Sequence, residues 1–135
     1  MPKEIFVNIP VEDLERSKAF YSALGFKVQP RFTNEKSACF FITENMFVMV
    51  ITDEFFKTFS KKKIADPDVI ESITALSVAT KEEVDTFAEK AFAAGATTAN
   101  DPYDYGYMYG KSFYDPDGHM WEVFYMDMDK APAQM

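Results

Sequence analysis

The chain has 135 residues, a formal net charge of −8, 47% apolar residues, 14 phenylalanines and a single cysteine. That length suits one domain whose core needs no disulfide staples, and one cysteine excludes an intrachain disulfide. The acidic balance repels phosphate backbones and excludes nucleic acid as a partner, and no apolar run approaches the roughly 20 residues of a membrane-spanning helix.

The opening Met1-Pro2-Lys3-Glu4 lacks the basic-then-apolar pattern of a signal peptide, so a cytoplasmic protein is expected. Positions 4–9 set Ile5, Val7 and Ile9 against Phe6 and Asn8, the alternation of a strand with two different faces. From position 12 the period changes. Leu14, Phe20, Tyr21 and Leu24 fall near one face of a helix, and Gly25 stands where a C-terminal cap is wanted. Strands are predicted at 26–32, 37–43 and 46–52, the last two close enough for a hairpin. Cys39, inside Ala38-Cys39-Phe40-Phe41, reads as a buried, inert thiol. A short helix at 54–59 and a solvated Lys61-Lys62-Lys63 loop lead into Asp66-Pro67-Asp68. These elements divide as a first module over 1–56 and a connection over 57–70.

The second half repeats the plan. A strand at 72–79 leads to the capping box Thr80-Lys81-Glu82-Glu83, whose hydroxyl and carboxylate can satisfy free amides at a helix start. Val84, Phe87, Ala88 and Ala91 follow at helical spacing, and Gly95 ends the helix. Further strands are predicted at 96–100, 106–114 and 119–127, the last two joined by the turn Asp115-Pro116-Asp117-Gly118. The second module therefore covers 71–128, with a frayed tail at 129–135. The class is α+β: two βαβββ modules in one structural domain, with a cleft between their sheets where a small molecule can bind.

Several motifs in this order resemble the vicinal oxygen chelate superfamily of glyoxalase I, bleomycin-resistance proteins and extradiol dioxygenases. In the first module they are Val11-Glu12-Asp13-Leu14-Glu15-Arg16-Ser17, Phe20-Tyr21 and Leu24-Gly25-Phe26. In the second they are Ala75-Leu76-Ser77-Val78, Ala94-Gly95-Ala96, Tyr105-Gly106 and Phe113-Tyr114-Asp115-Pro116-Asp117-Gly118, ending at Glu122. The resemblance covers almost the whole chain. It implies curved mixed sheets forming a cup in which four side chains hold a divalent metal. Carried over, those positions fall on Phe6, Ile73, Met49 or Val50, and Glu122. Only Glu122 suits such an ion, so no metal cofactor is expected, a divalent ion at Glu122 being the alternative. Asn8 shares the Phe6 face as a weak donor. His119, of opposite parity to Glu122, is expected to be a surface turn residue.

A tight hairpin without a bulge would place Tyr114 opposite His119 and Lys111 opposite Glu122. Lys111 would then stand near the missing cation. Tyr107, Tyr109, Lys111 and Phe113 would share the cup face with Met120, Glu122 and Phe124, and with Phe6, Asn8 and Ile73. Tyr103, Tyr105, Tyr107 and Tyr109 alternate in sequence as an aromatic lining, which sheet packing would also produce. Lys111 and Glu122 either orient a ligand's polar group or form an ordinary cross-strand ion pair.

Three functions follow. The first is a metal-free cup binding a small aromatic or cationic molecule, with Phe6, Asn8, Met49, Ile73, Tyr107, Tyr109, Lys111, Glu122 and Phe124 as contacts. The second is a glyoxalase-like enzyme of the lactoylglutathione lyase type, or a dioxygenase-related one, with Glu122 catalytic. The third is an interaction module whose cup is filled by its own side chains. The resemblance also implies a homodimer.

Overall fold

The computed structural model describes residues 1–134. It contains two compact units, one over Met1–Val69 and one that begins at Ile70.

In the first unit, β1 (Ile5–Val11), β2 (Lys27–Val28), β3 (Ser37–Thr43) and β4 (Met46–Thr52) form a sheet in the order β1-β4-β3-β2. β1 runs parallel to β4, and the other neighbours are antiparallel. Helix α1 (Leu14–Ala23) starts where the Asp13 carboxylate accepts from the Arg16 N–H at 3.1 Å, satisfying an amide that has no partner within the helix. It buries Leu14, Ser17, Phe20 and Tyr21, and the Tyr21 ring lies 6.0 Å from that of Phe40. Side chains alternate along a strand. The register therefore puts Ala38, Phe40, Val48 and Val50 beneath α1, and Phe6, Asn8, Cys39, Phe41, Phe47 and Met49 on the opposite face. A single turn, α2 (Asp53–Phe56), follows β4.

The second unit holds β5 (Ile73–Ser77), α3 (Lys81–Ala93), β6 (Thr97–Thr98), β7 (Tyr103–Asp104), β8 (Met108–Tyr114) and β9 (Met120–Met126). The sheet order is β5-β9-β8-β6, with β7 also pairing to β8. β5 is parallel to β9, while β8 is antiparallel to its three partners. At the start of α3 the Glu83 N–H donates to Thr80 Oγ1 at 3.1 Å, and the Glu83 carboxylate accepts from the Ala79 N–H at 3.2 Å. Both arms of the capping box are made, the return arm reaching one residue further than the usual pattern. α3 buries Val84, Ala88 and Ala91, and its Phe87 and Phe92 rings lie 6.2 and 6.3 Å from Phe113. Phe113, Trp121 and Val123, on the same sheet face, are fully buried.

Both long helices close in one way. The Phe26 N–H reaches back to the Tyr21 carbonyl and the Ala96 N–H to the Ala91 carbonyl, across Gly25 and Gly95. Those glycines have φ of +97° and +113°, a conformation that side chains with a β-carbon resist.

Two of the expected strands shrink to two residues each. Positions 26–32 give only Lys27–Val28, because Pro30 has no N–H for a ladder and begins a 3-10 turn, Pro30–Phe32. Positions 96–100 give only Thr97–Thr98, and the Asn100 N–H turns to the Ser112 hydroxyl at 2.9 Å. Among the described residues, no helix is long and apolar enough to cross a membrane.

Candidate functional site

The turn before β9 sets the geometry. The Asp115 carboxylate accepts from the N–H groups of Asp117 and His119 at 3.0 and 2.8 Å, while the Asp115 N–H donates to the His119 carbonyl at 2.9 Å. Residues 115–119 are thereby all committed to the loop, and the strands resume with Tyr114 opposite Met120. Asp115 is buried, at 3% exposure.

This register corrects the expected one by a single residue, and a one-residue slip exchanges the faces of a strand. Glu122 stands opposite Ser112, and Lys111 opposite Val123. Lys111 and Tyr109 therefore lie on the α3 side, apart from Glu122. There the Lys111 ammonium meets Asp85 of α3 at 2.8 Å, and the Tyr109 hydroxyl donates to the same oxygen at 2.6 Å. The two donors hold the Asp85 carboxyl below its ordinary pKa, and the same carboxylate raises Lys111 and Tyr109. Lys81 lies 5.8 Å above the Tyr109 ring and 3.8 Å from Asp104. This cluster ties α3 to β7 and β8.

On the face away from α3, Glu122 has Ser112 on one side and Ala75 of β5 on the other. Ile73, Met120, Tyr114, Gly110, Phe124 and Ser77 complete its surroundings by register. Its hydrogen bond comes from Tyr103, whose hydroxyl donates to Glu122 Oε1 at 3.2 Å. Burial, followed by the Glu122 charge and the hydrogen bond to it, pushes the Tyr103 phenol well above its ordinary pKa, so it stays a neutral donor. Tyr103, Tyr105 and Tyr107 do not alternate along one strand. They stack around the β7–β8 turn, with ring centroids 5.2 and 6.1 Å apart. Pro102 and Gly106, flanking Tyr103 to Tyr105, are the signal in the sequence for this short extra strand.

Phe6, Asn8 and Met49 share the face of the first sheet away from α1, as their parity predicts. Phe6 stacks on Phe47 at 4.5 Å and meets Phe32 edge-on at 6.1 Å. The Asn8 amide donates to the Phe6 carbonyl at 3.0 Å. Ile73, Glu122 and Phe124 likewise share the face of the second sheet away from α3.

A divalent cation does not fit these residues. Phe6 and Ile73 offer no lone pair, the Met49 thioether is too soft for an oxygen-preferring or borderline ion, and Glu122 is a single carboxylate. Among the described residues, no group of three or more His, Cys, Asp or Glu side chains could hold a metal ion.

Paired βαβββ units with a helix on one side of each sheet define the architecture of the glyoxalases and bleomycin-resistance proteins. The comparisons agree. Residues 3–43 match a family model described as bleomycin resistance protein-like N-terminal. Among solved structures, a hypothetical protein of S. aureus is 30% identical over 93% of this chain and 94% of its own, with a TM-score of 0.78. A glyoxalase/bleomycin resistance protein/dioxygenase family enzyme from Burkholderia phytofirmans PsJN is 25% identical over 90% and 96%, with a TM-score of 0.74. The fosfomycin resistance protein FosX from Mesorhizobium loti, 16% identical over 96% and 97% with a TM-score of 0.68, shares the fold. A comparison with curated protein sequences finds no match. The chain belongs to the glyoxalase/bleomycin resistance/dioxygenase family, within the vicinal oxygen chelate superfamily.

Proposed function

We propose that this protein binds a small aromatic or cationic molecule without a metal, in the manner of a bleomycin-resistance protein, with Glu122 as the anionic anchor. The observation that carries this reading is the Tyr103–Glu122 pair on a face where its neighbours are largely apolar or aromatic. A half-buried carboxylate among Phe124, Met120 and Ile73 strengthens any bond to an N–H group, because less water screens it. The net charge of −8 favours a cation on approach. Phe124 and the tyrosines around the β7–β8 turn supply flat surfaces for a ring or a positive charge. The reading includes a homodimer.

Thermal-shift screening against aromatic cations, neutral aromatics and aromatic anions tests it, since a ligand that prefers the native state raises Tm. Cationic aromatics are expected to raise Tm by several degrees. Glu122→Gln, which keeps the size and removes the charge, is expected to weaken their binding at least tenfold, the loss of about 1.4 kcal/mol or more that one charged hydrogen bond represents. Shifts that are equal in E122Q and wild type would overturn the anchor. The glyoxalase-like reading gains instead if wild-type protein is active in a lactoylglutathione lyase assay and E122Q keeps affinity while losing turnover.

A further inference from the structure

Tyr103 reaches Glu122 by crossing a strand. It sits on β7, Glu122 sits on β9, and β8 lies between them. The β8 residue directly opposite Tyr103 is Gly110. Gly110 is buried, and a β-carbon placed on it would overlap the Tyr103 ring and hydroxyl. The overlap is with the far end of the Tyr103 side chain and not with backbone, so what must give is the ring itself, which has to move off β8. The ring is held from another direction by its stack with Tyr105 at 5.2 Å. Gly110 is not among the glycines with positive φ, so its backbone suits any residue. What the position requires is empty space.

We propose that Gly110 is the positioning residue of the Glu122 site: its missing side chain lets the Tyr103 ring lie flat across β8, so that the phenol occupies Oε1 of Glu122 and leaves Oε2 to a ligand. Any side chain at 110 would lift the ring and expose both carboxylate oxygens. The site would change from one that presents a single anionic acceptor beside a neutral phenol into a bare carboxylate on an open sheet. Residue 110 then sets specificity without touching the ligand. The consequence for ligands rests on the reading of Glu122 as an anchor; the positioning itself does not.

Two measurements on the whole chain test the positioning without any ligand. The first follows tyrosine Cζ by NMR through a pH titration, with the Tyr103 signal assigned by Tyr103→Phe. In wild type that signal should stay unshifted through the ordinary tyrosine range near pH ~10, and in Gly110→Ala it should titrate within it. The titration is read at a temperature where near-UV circular dichroism shows both proteins still folded, because an unfolded chain would also titrate in that range. The second is a double-mutant cycle. G110A should lower Tm by about 3 to 8 °C with Tyr103 present and by less than about 1 °C in a Tyr103→Ala background, where the space has been vacated. An unchanged Tyr103 titration in G110A, or an equal Tm loss in both backgrounds, would overturn the proposal. Failure of the ligand screen with E122Q would leave both results standing and sink only the binding reading.

Discussion

Asp85 holds two donors on one oxygen, the Lys111 ammonium at 2.8 Å and the Tyr109 hydroxyl at 2.6 Å. Because the folded state lowers the Asp85 pKa, its contribution to stability is present above the unfolded carboxyl value near ~3.9 and disappears as pH falls through the folded value. Lys111 is raised, so its share is present below the ordinary lysine value near ~10.4 and is lost as pH rises through the folded value. The Asp85 side chain is 43% exposed, and solvent screens the pair. Asp85→Asn should therefore cost only about 0.5 to 1 kcal/mol at neutral pH. In urea melts the difference from wild type should shrink toward zero below the acid range; a cost that persists there would show that packing, not charge, holds the contact. Cys39 lies fully buried on the Met49 face, and desolvation raises its thiol pKa, so the inert reading taken from its apolar neighbours holds.

Element boundaries were legible wherever a local signal has a physical cause. Strands 37–43 and 46–52 and both helix ends follow from alternation, side-chain caps and a closing glycine. The pairing of β8 with β9 was not legible, because it depends on how many residues the turn consumes. Asp-Pro-Asp-Gly announces a turn, yet it is the bonds from the Asp117 and His119 N–H groups to the Asp115 carboxylate, together with the Asp115 N–H to the His119 carbonyl, that extend the loop through position 119. Those bonds are also its weak point. Asp115→Ala removes the acceptor of two part-buried N–H groups and should cost about 1 to 3 kcal/mol. Asp115→Asn, which keeps an acceptor oxygen, should recover most of that loss in chemical denaturation. An alanine variant as stable as wild type would show that the Tyr114–Met120 pairing alone sets the register.

Each unit carries its own sheet, its own capped helix and its own buried residues, so the repeat seen in the sequence is a repeat of core as well as of pattern. β1 and β5 end their sheets, and no further strand pairs with them among the described residues. Ile5 and Ile73 on these strands are 56% and 52% exposed. An apolar, unpaired edge is a template for another chain. The homodimer proposed above should give a sedimentation mass near twice the 15.4 kDa chain, and a charge at the edge, Ile5→Lys, should move it toward a single chain. A wild-type mass of one chain at micromolar concentration would remove the dimer from the reading. The family was legible from ordered motifs along most of the chain. The partner of Glu122 was not, because Tyr103 meets it only by lying over a glycine on a third strand.

The five-residue loop also works as a counting device for the sheet. Deleting any one of residues 115–119 while the strands stay paired would turn β8 over relative to β9. Phe113 would leave the packing beneath α3, and the Lys111 ammonium would swing round to the carboxylate of Glu122, replacing a neutral phenol by a fixed positive charge. The spacing of this turn thus decides whether that carboxylate meets the outside world as an anion or already neutralised, and substitutions should be tolerated here far better than length changes.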